Sequence, residues 1–278
     1  MILFPNAKIN LGLNITTRRP DGYHDLTTVF YPVGWTDVLE IVPAKGSDTT
    51  LTVTGRCVAC RPDDNLVMKA YRLMAENYEL PPVDIFLHKN IPDGAGLGGG
   101  SSDASFTLRG LNELFGLGVS DTQLASLARR LGADCPFFIY NRPLSASGIG
   151  DVFEPVDISL ADYDVLVVKP PVSIPTREAF KWIAPHMPPE IPSQTVTLVP
   201  PVEWQGRLVN DFEASVFPAH PEVERLVTLM RENGALYASM SGSGAAVYGI
   251  WRRDGSDRMS ALAGIMPDGY AVWHGRFE

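Results

Sequence analysis

Residues 91–105 read IPDGAGLGGGSSDAS, with glycines at 94, 96, 98, 99 and 100 and Ser101-Ser102 behind them. Glycine loses more backbone freedom on folding than any other residue, so concentrating it here needs a reason. Gly94-x-Gly96-x-x-Gly99 satisfies the G-x-G-x-x-G pattern of dinucleotide sites, but that fingerprint should follow its strand directly, and Lys89 to Asp93 intervene here. A Walker A loop does not fit either, because Ser101 stands where its lysine should be. A flexible linker is disfavoured by the flanks, an apolar VDIFLH run at 83–88 and a helical pattern behind the glycines. The remaining reading is an anion cradle. Bare backbone lets N–H groups point at phosphate oxygens, and a helix starting near 102 adds its positive end. Ser101 and Ser102 add hydroxyls for phosphate or for a metal on it, while Asp103 suits the helix dipole but would repel a phosphate if it faced inward.

Working outward, alternating or apolar runs at 8–15, 38–42, 50–54 and 83–88 predict strands. Leu66, Ala70, Tyr71 and Met74 predict a helix near 64–78, with Asp64 or Asn65 as its cap. A helix over 102–115 places Ala104, Leu108, Leu111 and Phe115 on one face, and Ser120-x-x-Gln123 is a capping box for the next, ending at Gly132. YDVLVVKP at 163–170 has the pattern of a buried strand. The proline-rich stretch 184–201 predicts a loop or insertion. Pro221 opens a helix that Gly234 ends, and 236–251 predicts two strands around a Ser/Gly turn. Strand and helix alternate, so the expected fold class is α+β in two domains, 1–157 and 158–278.

Composition narrows the function classes. The 278 residues are 45% hydrophobic and 20% charged, which is globular. A net charge of −9 argues against a nucleic-acid binder, yet leaves room for an anionic small ligand held by backbone N–H groups. The first ten residues do not form a signal-peptide core, and no apolar run approaches 18 residues, so no membrane association is expected. Three cysteines cannot form a disulfide framework, which suits a cytoplasmic setting. Cys57 and Cys60 form an isolated C-x-x-C without the two further ligands a zinc site needs, and they read as incidental loop cysteines.

Together, four stretches resemble the GHMP kinase superfamily: PNAKINLGLNITTRRPDGYHDLTT (5–28), IPDGAGLGGGSSDAS (91–105), LGADCPFF (131–138), and NDFE (210–213) with SGSG (241–244). The likeness spans nearly the whole chain, and the combination of AKINL, RRPDGYH and GADxPFF is far more specific than any one motif. Within the superfamily they are most similar to the branch whose acceptor alcohol carries a cytidine diphosphate, in the non-mevalonate route to isoprenoid precursors. The resemblance implies an N-terminal domain of the ribosomal protein S5 domain 2-like type and a ferredoxin-like C-terminal domain. It implies ATP as co-substrate with Mg²⁺, a small-molecule acceptor and no obligate protein partner.

It also implies roles. Taken singly, Asp134 after a Gly-Ala turn reads as a cap or turn residue, and Lys8 in a strand as a chain snorkelling to water. With their motifs matched, the resemblance implies Asp134 as general base and Lys8 as the cation that holds the carboxylate and the developing charge. Asn10 is expected to orient the substrate. The resemblance assigns His24 to cytosine, with Tyr23 and Phe180 flanking the base, and makes Thr176 a substrate contact. The phosphate cradle would comprise Pro92, Gly94, Ala95, Gly96, Leu97, Gly98, Gly99, Gly100, Ser101 and Ser102, joined by Gly242, Ser243 and Gly244. For the metal, Ser101 and Ser102 are candidate ligands and no carboxylate is named. Three rivals are another kinase of the superfamily, a catalytically silent nucleotide sensor and an NAD-binding oxidoreductase. The Tyr23-His24 pair with Phe180, the intact Lys8 and Asp134, and the loop's context argue against them in turn.

Overall fold

The computed structural model describes residues 1–58, 60–254 and 257–277, apart from the Trp182 side chain. In chain order its elements are β1 (Ile2–Leu3), β2 (Asn6–Arg18), β3 (His24–Thr36), β4 (Val38–Pro43), β5 (Thr50–Gly55), α1 (Leu66–Asn77), β6 (Val83–Lys89), α2 (Gly99–Leu114), α3 (Asp121–Arg129) and α4 (Cys135–Tyr140). There follow β7 (Leu144–Ser147), β8 (Val152–Pro155), β9 (Tyr163–Lys169), α5 (Thr176–Ala179), α6 (Pro192–Leu198), α7 (Phe212–Ala219), α8 (Pro221–Glu232), β10 (Tyr237–Met240), β11 (Val247–Arg252), α9 (Arg258–Gly264) and β12 (Ala271–Arg276). They gather into two compact units.

The first unit comprises Met1–Ala7, Trp35–Asp93 and Gly98–Arg142. Its sheet runs β1-β4-β6-β5, with β4 antiparallel and β5 parallel to β6. A parallel pair needs a crossover, and α1 supplies it. Leu39 and Ile41 of β4 and Ile85 and Leu87 of β6 alternate inward. They form the core with Val67, Ala70 and Met74 of α1 and with Ala104, Leu108 and Leu111 of α2. The Asn65 side chain caps α1 by accepting from Val67 N at 2.9 Å, and the predicted Ser120–Gln123 capping box opens α3.

The second unit comprises Lys8–Gly34, Gly94–Leu97 and Pro143–Glu278. The expected boundary at 157/158 therefore falls inside it, and the chain enters it three times. It holds an antiparallel sheet ordered β10-β11-β9-β12 and most of a second one ordered β2-β3-β7-β8. Leu166 and Val168 of β9, Val223, Leu226 and Met230 of α8, and Ala238 and Met240 of β10 share a core with Phe212 and Val216 of α7.

Several expectations are corrected. The helix after the glycines starts at Gly99 rather than 102, so Ser101 and Ser102 lie in its first turn. The stretch 184–201 is not simply a loop: Pro192 occupies the first turn of α6, where its missing N–H leaves no orphan donor. The long β3 carries no clean period of two and escaped the sequence reading, because its middle is buried on both faces.

Candidate active site

In the second unit the segment Gly94–Leu97 is held by two elements. Lys8 N donates to Leu97 O at 2.9 Å and Ala246 N to Ala95 O at 3.1 Å. Gly94, Gly96 and Gly98 have φ of +58°, +76° and +71°, the left-handed region that glycine enters without strain. Their surroundings differ. A Cβ on Gly94 would meet open space, whereas one on Gly96 would stand 2.0 Å from Ser241 O. Gly242, at φ +55°, approaches from the other side, and its Cβ would lie 3.2 Å from Gly96 Cα. The two predicted glycine segments are thus in backbone contact. Their small size is what allows it.

Lys8 is buried in the same unit. Its Nζ donates to Asn10 Oδ1 at 2.7 Å and lies 4.7 Å from the centroid of the Phe30 ring. Asn10, 1% exposed, donates from Nδ2 to Thr28 Oγ1 at 3.0 Å, and Thr28 donates to Gly12 O. Both ends of the Asn10 amide are thereby engaged within the protein, and it orients Lys8.

The structure brings Thr176 to the small-residue loop, its Oγ1 3.2 Å from Ser243 Oγ. His24 and Phe180 stack with ring centroids 4.7 Å apart and 18° between planes, and Phe180 rests edge-on against Phe212. Tyr23 precedes them at 61% exposure, in a turn where its N–H donates to Asp21 Oδ1. His24 at the start of β3 and Phe180 just beyond α5 meet only because tertiary folding joins them, and the exposed Tyr23 directly precedes His24 in the chain.

The first unit carries the start of α2. Gly98 is its left-handed cap, and Gly99 and Gly100 are already helical. Gly99 is small for a packing reason, since a Cβ there would crowd Ile91 at 3.0 Å and Lys89 Nζ at 3.3 Å. Ser102 is fully buried, and its Oγ has no hydrogen-bond partner among the described residues. Asp134 occupies the N-cap position of α4, yet its side chain makes no cap hydrogen bond. The cap reading therefore does not account for it. Beside it, burial pushes the Cys135 thiol up to about 11, against hydrogen bonds with Ser101 and Ser105, so this thiol stays protonated and inert.

A buried ion cluster behind the α2 start was not legible in the sequence. Lys89 Nζ donates to Asp37 Oδ2 and, at 2.7 Å, to Asp103 Oδ2. Asp37 Oδ1 also accepts from the backbone N–H groups of Asn90 and Ile91, so Asp37 fixes the turn that enters the glycine loop. Asp103 faces Lys89, which removes the expected clash with a phosphate. Burial raises the Asp103 carboxyl to about 7, Lys89 pulling it down and Asp37 pushing it up. Nothing in local spacing ties Asp37, Lys89 and Asp103 together, since 52 residues separate the first two. Only the β4–β6 pairing and the packing of α2 against β4 bring them into reach.

Residues 65–142 match the family model described as GHMP kinases N terminal domain, and residues 200–261 the model described as GHMP kinases C terminal. A protein of Bacteroides fragilis named 4-diphosphocytidyl-2-C-methyl-D-erythritol kinase is 51% identical over 253 residues, 90% of this chain and 92% of its own length. This chain belongs to the GHMP kinase family. A Bacteroides thetaiotaomicron protein of the same name is 51% identical over 258 residues, covering 92% of this chain and 94% of its own. A crystal structure of 4-(cytidine 5'-diphospho)-2C-methyl-D-erythritol kinase superposes with a TM-score of 0.80 at 32% identity, over 99% of this chain and 98% of that one. The Methanococcus jannaschii mevalonate kinase, at 14% identity and a TM-score of 0.75, shares the fold. The architecture is the two-domain α+β fold of GHMP kinases, and the protein is an ATP-dependent small-molecule kinase.

Proposed function

We infer that this kinase transfers the γ-phosphoryl group of ATP to the 2-hydroxyl of 4-diphosphocytidyl-2-C-methyl-D-erythritol, in the methylerythritol phosphate route to isoprenoid precursors. The observation that carries the choice of acceptor is the stacked His24–Phe180 pair, with the exposed Tyr23 next to His24 in the chain. Mevalonate, homoserine and sugars have no nucleobase for such aromatic groups, whereas cytosine has a flat π-face for the exposed Tyr23 ring and polar edges for the His24 imidazole, which Phe180 backs at 4.7 Å. The names of the relatives, at 51% identity over nine-tenths of the chain, support the same acceptor.

Phosphoryl transfer needs mainly positioning and electrostatic stabilisation. The Gly94–Gly98 backbone and the α2 start present N–H groups to the triphosphate, and the Gly242–Gly244 loop closes on Gly96 without a side chain in the way. A cavity of about 330 Å³ in the first unit, lined by Leu51, Val53, Gly55, Pro62 and Asn65, suits a nucleobase, and we assign it to adenine. Asp134 takes the proton of the acceptor hydroxyl, and Lys8, held at Asn10, offsets charge on the transferring group.

The donor set also fits the expected metal in one respect. The buried Ser102 Oγ in the first turn of α2 has no hydrogen-bond partner among the described residues, and Mg²⁺ itself leans mainly on phosphate oxygens and water. The hydroxyls of Ser101 and Ser102 would steady it, and the ion would neutralise phosphate charge. Among the described residues no helix is long and apolar enough to cross a membrane, and the cysteine content supports a cytoplasmic reaction. Turnover measured with ATP on the cytidyl alcohol, mevalonate, homoserine and galactose tests the reading. It predicts turnover on the first alone, and turnover on mevalonate with none on the cytidyl alcohol would overturn it.

A further inference from the structure

The loop Ser241–Gly244 has almost no side chain with which to hold itself in place. Two of its four residues are glycines at positive φ, and its internal bond is Gly244 N to Ser241 O at 3.0 Å. Its position is imposed by neighbours. Asn210, fully buried, spends one amide hydrogen on the strand end before the loop and one on the loop itself, donating from Nδ2 to Met240 O at 2.7 Å and to Gly242 O at 2.9 Å. Its Oδ1 accepts from Phe212 N at 3.1 Å, so the amide can adopt only one orientation; the flipped one would set an oxygen against two carbonyls.

The backbone beside that amide is tied to the strand that carries Lys8. Asn210 forms a parallel bridge with Leu13, and Asp211 N donates to Leu13 O at 2.8 Å. The Asp211 carboxylate accepts from Ile15 N at 2.7 Å and from Asn14 Nδ2 at 3.1 Å. On the other side of the loop, Ser241, also fully buried, donates from Oγ to Gly96 O at 2.9 Å, and its Oγ lies 3.5 Å from the Asn10 Oδ1 that receives Lys8. Hydrogen bonds thus join Asn210, the small-residue loop and Gly96, and the Ser241 hydroxyl, its one hydrogen spent on Gly96 O, packs beside the Asn10 Oδ1 that holds Lys8.

We propose that Asn210 and Ser241 are positioning residues for phosphoryl transfer, fixing the Ser241–Gly244 loop against Gly96 and both against the Lys8 ammonium. The inference rests on the reading of these glycine segments as the phosphate cradle. A merely structural clamp would lower stability and leave ligand handling alone. A positioning role places the loss in nucleotide binding and kcat while sparing the acceptor.

The test compares Ser241→Ala and Asn210→Asp with Ser239→Ala, in the full chain, after circular dichroism has verified folding. Ser239 lies on β10 just before the loop, is 2% exposed, and donates to Glu213 Oε1 at 2.7 Å, with Met240 O 3.3 Å away; it makes no hydrogen bond to Gly96 or to the Ser241–Gly244 loop. AMPPNP binding by calorimetry needs no acceptor, so it reads the inference even if the acceptor has been misassigned. Ser241→Ala should weaken AMPPNP about five- to 50-fold and lower kcat at least about tenfold, as expected for one buried hydrogen bond left unmade. The KM for the cytidyl alcohol should stay within about twofold, and Ser239→Ala should bind AMPPNP as the wild type does. Asn210→Asp keeps the shape and turns two donors into acceptors, and should lose at least as much; if it does not fold, Ser241→Ala carries the test. AMPPNP affinity and kcat in Ser241→Ala equal to those of Ser239→Ala would overturn the proposal. Wild-type protein that binds AMPPNP without turning over the cytidyl alcohol would overturn only the acceptor, and failure to bind AMPPNP at all would overturn both.

Discussion

The carbonyl oxygen of Ser241 lies 2.0 Å from where a Cβ on Gly96 would stand. No side chain can be accommodated there without moving one backbone segment off the other. Two segments far apart in sequence therefore require glycine for a shared reason, which is close approach.

That relationship separates two neighbouring glycines. At Gly94 a Cβ meets open space, so Gly94→Ala carries only the left-handed backbone penalty of about 1–2 kcal/mol and should lower Tm by a few degrees. Gly96→Ala should lose more than about 4 kcal/mol or fail to fold. Thermal melts of the two variants side by side check this, and equal losses would show that the loop can open freely.

Asp134→Asn keeps the shape of the α4 N-cap, where the side chain makes no capping bond, and removes the base. Steady-state kinetics should show kcat lower by roughly 10²–10⁴, with AMPPNP affinity little changed. A kcat near that of the wild type would remove Asp134 from the chemistry.

His24→Ala and Phe180→Leu remove the two halves of a stacked pair at 4.7 Å. Each should raise KM for the cytidyl acceptor about tenfold, in line with aromatic contacts worth about 0.5–1.5 kcal/mol beyond their buried area. The KM for ATP should not change. Unchanged acceptor KM in both variants would dissociate the pair from cytosine.

Asp103 makes stability depend on pH in a direction opposite to that of most carboxylates. Burial raises its folded-state value from 3.8 to about 7, so the folded chain binds this proton more tightly than the unfolded one. Its contribution is complete below about pH 4 and is lost as pH rises through about 7. Urea unfolding of wild type and Asp103→Asn should show the wild type losing ground to the variant by roughly 4 kcal/mol between pH 4 and pH 8. A gap that is constant with pH would mean that Asp103 is ionised throughout.

Much of this was legible wherever the physics is local. The Ser120–Gln123 box, the Asn65 cap, the apolar face of α2 and the buried run of β9 follow from periodicity and capping, and the structure keeps them. Local rules misplaced the start of α2 by three residues, because glycines that read as loop are helical once Gly98 supplies the left-handed cap. They also took the 184–201 stretch for a loop, although Pro192 sits in the one helical turn where proline does no harm. The partners of Asn210 were illegible for a different reason: a buried amide reveals itself only through what it donates to, and Met240 and Gly242 are 30 and 32 residues away. The Asp37–Lys89–Asp103 cluster was hidden in the same way.

The central claim is that this chain places a phosphate on the 2-hydroxyl of a cytidyl alcohol. Phosphorus NMR of the reaction of wild-type protein with ATP, Mg²⁺ and 4-diphosphocytidyl-2-C-methyl-D-erythritol tests it directly. The account predicts a new phosphomonoester resonance, coupled to the C2 centre of the methylerythritol, growing in step with ADP. ADP without that ester, or an ester on another hydroxyl, would contradict it.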